Sequence, residues 1–96
     1  MPKQFVVYIL ASQPRGTLYT GVTSNLVQRV WQHRNKITPG FTERHAVGTL
    51  VWYETQPDSQ KAIKREKQLK QWKRDWKIRL IEQHNPRWED LWETLF

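Results

Sequence analysis

Hydrophobic positions along this chain fall into short blocks, and their spacing shifts from strand-like to helical and back. Phe5 to Ala11 is a near-continuous apolar run, ended by the turn cluster Ser12-Gln13-Pro14-Arg15-Gly16. Thr17 to Val22 resumes β-favouring residues, so the two runs predict a β-hairpin. Thr23-Ser24-Asn25 offers side chains suited to a helix N-cap. Leu26, Val30 and Ile37 then share one face of a helix of about three turns. Thr38-Pro39-Gly40 stops that helix, and Phe41 to Gly48 reads as a loop holding Arg44 and His45.

Thr49 to Glu54 forms a third strand, and Pro57-Asp58-Ser59 opens a second helix with Asp58 or Ser59 as its cap. Ala62, Leu69, Trp76 and Leu80 lie within a narrow arc if helical phase continues; a break between Trp72 and Asp75 would divide it into two helices. Asn85-Pro86 resembles a cap followed by a first-turn proline, starting a last short helix with Trp88, Leu91, Trp92 and Leu95 on one side. The order β-β-α-β-α-α predicts an α/β (α+β) fold with a three-stranded, mainly antiparallel sheet flanked by helices. Residues 1–96 then make one domain, with no room for a second core.

Composition narrows the class. Only 38% of residues are hydrophobic, but six Trp, three Tyr and three Phe bury large areas each, enough for a small independent core. No apolar run approaches bilayer length, and Met1-Pro2-Lys3-Gln4 leads into a strand without a secretory pattern. The absence of cysteine excludes a disulfide scaffold and thiolate metal sites. A cytoplasmic location is the expectation.

Charge changes the picture more. Sixteen Lys and Arg oppose nine Asp and Glu, giving a net charge of +7. Many of those cations crowd the second helix, where Lys61, Lys64, Arg65, Lys67 and Lys70 form a basic strip interleaved downstream with Trp72 and Trp76, both read as core. Such a strip is either a solvated face or a phosphate-backbone contact that works by counterion release; the tryptophans favour nucleic acid.

Five side chains carry candidate chemistry. Arg29 and His33 sit one turn apart on the inner face of the first helix, where polar groups need partners or a cleft. Glu66 falls between Ala62 and Ile63 in helical phase, while Lys61, Lys64 and Lys67 radiate outward. A carboxylate there either pairs with an arginine, Arg29 being available, or holds a hard cation, which often takes only one or two protein carboxylates. Tyr8 and Tyr19 lie within the two hairpin strands, and Gly21, two residues after Tyr19, marks a close approach.

With Val7-Tyr8-Ile9, Tyr19-Thr20-Gly21, Arg29, His33 and Glu66 in that order, the chain resembles the GIY-YIG nuclease superfamily, above all its small stand-alone bacterial members. Each motif is short; order and spacing make the likeness specific. It departs in detail. Val7 stands at the first motif's glycine, Thr20 at the second motif's isoleucine, and Val22 where repair nucleases often have lysine. His33 stands at those enzymes' tyrosine, as in restriction-enzyme relatives. Asn85 is the one candidate for a late asparagine and reads equally well as a cap.

The resemblance implies a one-metal mechanism of phosphodiester hydrolysis in DNA, in repair or recombination. Glu66 would hold Mg²⁺ or Mn²⁺, and Arg29 would bind the scissile phosphate. Tyr8 or Tyr19 would take a proton from water, with His33 orienting or relaying it. Specificity would come from a protein partner. The alternative is a nucleic-acid-binding module of the same fold with little or no turnover.

Overall fold

The computed structural model describes residues 4–35 and 47–96. Ile37, the Thr38-Pro39-Gly40 stop and the loop segment with Arg44 and His45 lie outside the described residues. Strand β1 (Phe5–Ala11) is the middle of a three-stranded antiparallel sheet of order β2-β1-β3, with β2 Leu18–Thr23 and β3 Thr49–Gln56. Its central place explains its unbroken apolarity: both faces of β1 are covered, so Val6 to Ala11 are all buried.

Alternation along β1 divides the interior into two layers. Val7, Ile9 and Ala11 face Ala62 and Leu69 of helix α2 (Ser59–Gln71), together with Ile81 of helix α3 (Arg74–His84). Val6, Tyr8 and Leu10 face Leu26 and Val30 of helix α1 (Leu26–Arg34). A bulge shifts the β1–β3 register between Ile9, opposite Trp52, and Leu10, opposite Leu50. The extra β3 residue sends both Val51 and Trp52 to the α2 layer.

The caps follow the sequence. Asn25 Oδ1 accepts from the Gln28 amide at 3.1 Å, and Asp58 Oδ1 accepts from the Lys61 amide at 2.8 Å. The hairpin turn is held from outside: Arg15 donates twice to the Glu82 carboxylate, and Arg74 donates to the Arg15 and Gly16 carbonyls. No helix among the described residues is long and apolar enough to cross a membrane.

Two expectations are corrected in the C-terminal third. The helical phase does not run through Trp76. Extended backbone at Trp72 and Lys73 (ψ 147° and 150°) resets it, so Ile81 takes the core position and Trp76 is 46% exposed. Trp72, by contrast, packs partly buried against the α2 layer.

The final segment is not a helix opened by Asn85-Pro86. Asn85 closes α3 instead, its amide donating to the Ile81 carbonyl, and a 3₁₀ helix begins only at Leu91, capped by Asp90. Nor do its tryptophans form one stripe. Trp88, at φ 56°, packs in the α2 layer, whereas Leu91, Trp92 and Leu95 pack against the α1 layer. The chain thus wraps around the rim of β3. Asn85 Nδ2 donates to the Val51 carbonyl at 3.1 Å, and Asp90 Oδ1 accepts from the Leu50 amide at 3.2 Å.

Candidate active site

The candidate site grows from the α1 side of the β1–β2 hairpin. Cross-strand register sets Tyr8 opposite Gly21 and Leu10 opposite Tyr19, so both phenols share this face. Gly21 is there for space: a Cβ at that position would lie 2.5 Å from the Tyr8 hydroxyl and 2.6 Å from its ring. With glycine opposite, the Tyr8 ring lies across the sheet and meets His33 of α1, its Oη 3.1 Å from His33 Nε2. Tyr19 closes the group, its ring centroid 5.1 Å from that of His33 and 6.4 Å from that of Tyr8.

The protonation states follow from this burial. His33 is buried, and burial followed by the Arg29 charge pushes its pKa below the ordinary 6.5. Its imidazole is therefore neutral at pH 7. Tyr8 is pushed well above the ordinary 10, chiefly by burial, then by Tyr19 and Glu66, against the opposing pull of Arg29. The phenol keeps its proton, and its hydroxyl shares with His33 Nε2 a hydrogen bond whose donor is set by the imidazole tautomer.

Arg29 differs from expectation in one respect. It is exposed rather than on the buried face of α1, and among the described residues it pairs with no carboxylate. It sits at the rim and acts on the interior through its charge, which lowers the pKa of both Tyr8 and His33. With Phe5, Thr23, Ser59 and Ile63 it lines a cavity of about 280 Å³. Ser59 and Ile63 occupy the same flank of α2 as Glu66, seven and three residues earlier, so this opening lies between Arg29 and the Glu66 flank.

Glu66 is at the border of the core, its side chain 15% exposed, and its charge reaches Tyr8. The alternative pairing with Arg29 does not form. Its ion-pair partner among the described residues is Lys70, one turn on, at 3.6 Å with a half-exposed side chain. Such an i,i+4 pair is weak and yields readily to a stronger cation.

Tyr8, Tyr19 and His33 thus come into contact, with Arg29 and Glu66 within electrostatic reach. The basic strip does not join them as one surface. Lys70 belongs to the Glu66 flank, whereas Lys61, Lys64, Arg65 and Lys67 line a groove on the other side of α2. The 100° step between successive helical residues carries that division and would have revealed it from sequence. Thr20 stands out as more than a motif variant: it is buried on the α2 side, and its hydroxyl has no hydrogen-bond partner among the described residues.

Residues 4–79 match the model of the GIY-YIG catalytic domain. The chain belongs to the GIY-YIG family. GIY-YIG proteins are a nuclease family and generally depend on divalent metal. Among similar proteins, a UPF0213 protein of Staphylococcus epidermidis is 31% identical over 83 residues, covering 86% of this chain and 99% of the relative. A UPF0213 protein of Clostridium perfringens is 35% identical over 75 residues, covering 78% and 80%. The solution NMR structure of a UPF0213 protein from Bacillus halodurans superposes with a TM-score of 0.56 at 26% identity, covering 91% of this chain and 92% of that one. Within the GIY-YIG frame, the second motif's glycine has a plain geometric reason here, since it seats the first motif's tyrosine. Asn85 lies beyond the matched residues, and its side chain is spent on the Val51 and Glu89 carbonyls and the Glu89 amide.

Proposed function

We propose that this chain is a divalent-metal-dependent endonuclease that hydrolyses phosphodiester bonds in DNA. The observation that carries this reading is the Tyr8 hydroxyl held against a buried, neutral His33, with Tyr19 on the same imidazole and the Arg29 and Glu66 charges both felt at the phenol. A structural core aromatic needs no such company.

The donor set fits a hard cation. Glu66 supplies one charged oxygen, and Mg²⁺ or Mn²⁺ fills most of its remaining positions with water and phosphate oxygens. When bound, the cation supplies positive charge against the phosphate and its leaving oxygen. Arg29, at the mouth of the opening and with no carboxylate partner among the described residues, binds the scissile phosphate and stabilises the charge that grows on it. Tyr8 is a poor candidate for a free phenolate, because burial holds its proton in place. It works instead as a relay: as it takes a proton from the attacking water, its own proton passes to His33 Nε2. Hydroxide adds to phosphorus, the bond to the leaving oxygen breaks, the leaving alkoxide takes a proton from solvent water, and the His33 imidazolium returns its proton to solvent. Tyr19, against the same imidazole, orients the water.

The test uses branched, flapped, nicked and linear DNA, each with and without Mg²⁺ or Mn²⁺, for the wild type and Glu66→Ala. Cleavage is expected only with metal, and is lost in the variant while DNA binding persists. Equal residual cleavage by both proteins would refute the reading. One observation favours a second reading, a binding module without turnover: Lys70 already offers Glu66 a cation. Binding of all four DNAs without metal-dependent cleavage in the wild type would establish that module.

A further inference from the structure

On the flank of α2 away from Glu66, Lys61, Lys64 and Lys67 line a groove of about 500 Å³ whose other walls are glutamines and Arg65. Among the described residues these three lysines have no ion-pair partner. Arg65 is engaged differently. It is neutralised by Glu54 at 3.1 Å, and its guanidinium lies over the Trp72 ring, 5.3 Å from the centroid. Trp72 in turn meets Trp76 edge-to-face at 6.0 Å.

Beyond that pair lies a second hollow of about 290 Å³, walled by Trp72, Trp76, Arg79, Leu80 and Gln83. Arg65 lines the first hollow and Trp72 the second, so the contact between these two side chains links them. The track therefore runs from cations to an aromatic shelf, and among the described residues no carboxylate lines either hollow. On α3, Asp75 and Glu82 fall about 100° and about 120° round the helix from Trp76, and Glu82 is taken up by Arg15 and the Trp88 indole. The phase break at Trp72 and Lys73 is what turns Trp76 out to 46% exposure.

We infer that this track binds an unpaired strand of nucleic acid, the lysines of α2 holding its phosphates and the exposed face of Trp76 stacking a base. A cationic groove leading to an aromatic surface is the arrangement by which single strands are held without sequence preference. The groove is lined by lysine, arginine and glutamine side chains. The inference rests on the nucleic-acid reading above and sharpens it, because it names the substrate class: DNA in which a single strand leaves a duplex. A helix is about 10–12 Å thick, and a strand that keeps its duplex stacking advances about 3.4 Å per nucleotide. A stacked strand crossing from the Glu66 flank to the shelf therefore spans about three unpaired nucleotides.

The experiment measures affinity for a blunt duplex and for the same duplex with single-stranded tails of one to eight thymidines, in Ca²⁺ to suppress turnover. Wild type, Trp76→Phe and Trp76→Ala are compared. For the wild type, affinity should rise once the tail passes about three nucleotides. The gain over blunt DNA should be largely kept by Trp76→Phe. In Trp76→Ala the tailed complex should weaken by roughly 5- to 100-fold, the scale of one lost base–aromatic stack, so that the tailed-to-blunt ratio falls towards one. Tail-dependent binding equal in wild type and Trp76→Ala would overturn the shelf and leave the nuclease reading standing. Failure of the wild type to bind either DNA would overturn both. Trp76 is exposed, so its loss leaves the core intact; a melting curve for each variant confirms this.

Discussion

The two faces of β1 present the same alternation and lead to opposite results. Towards α2 and α3, its side chains are Val7, Ile9 and Ala11, packed against aliphatic and indole groups. Towards α1, the middle residue is Tyr8, and the layer admits a phenol, an imidazole and the edge of a second phenol. One face sets position, the other holds the titratable groups. The apolar layer can be specified by shape alone, whereas each polar group in the α1 layer needs a named partner at a set distance. A strand with two such faces lets the scaffold be stiff without making the chemistry stiff to evolve.

That contrast can be broken from either side. Tyr8→Phe keeps the ring over Gly21 and removes only the proton. Cleavage should fall by about 10²–10⁴-fold, the span of general acid–base catalysis, while unfolding stability drops by only about 1 kcal/mol. Rates and denaturant midpoints measured on the same preparation would separate the two. Leu69→Ala, in the other layer, should do the reverse. It leaves a cavity under α2 and costs about 2–5 kcal/mol, with residual cleavage per folded molecule near normal.

Gly21→Ala lies at the junction. Its methyl would sit 2.5 Å from the Tyr8 hydroxyl, so a loss of about 1–3 kcal/mol should accompany a shifted phenol. The ring resonances of Tyr8 and His33 in an NMR spectrum should move together. Smallest is the effect of pH. His33 must be neutral to accept the proton, and its pKa lies below 6.5, so cleavage should hold from neutral pH upward. Below that it should fall by at most about tenfold per pH unit, as acid charges the imidazole. The sign is the same for stability: a depressed folded-state pKa contributes above the unfolded value and is lost as pH falls. A rate that rises on acidification would rule out the relay.

Much of this was legible in the chain because the signals are local. The Asn25 and Asp58 caps, the apolar β1 block and the Tyr19-to-Gly21 spacing each act within a few residues, and the order of Tyr8, Tyr19, Arg29, His33 and Glu66 carries the family. What escaped depends on neighbours distant in sequence. The periodicity of α2 runs on into α3 on paper, with a break between Trp72 and Asp75 as the alternative, and the extended pair Trp72-Lys73 shows that the break is what occurs. Asn85-Pro86 has the composition of a helix start, yet a β3 carbonyl captures the asparagine. Arg29 shares its turn with buried residues, and its long side chain still reaches the surface, as arginine stems commonly do.

The wrap made by Asn85 to Asp90 has a consequence for the molecule in a crowded cell. An outer strand ordinarily offers a ladder of unanswered amides and carbonyls to any extended peptide that passes. On β3, the Leu50 donor and the Val51 acceptor are already met from within the same polypeptide. A foreign strand seeking to lengthen the sheet there would first have to peel away this girdle, so aggregation through that rim should begin only after the C-terminal segment detaches.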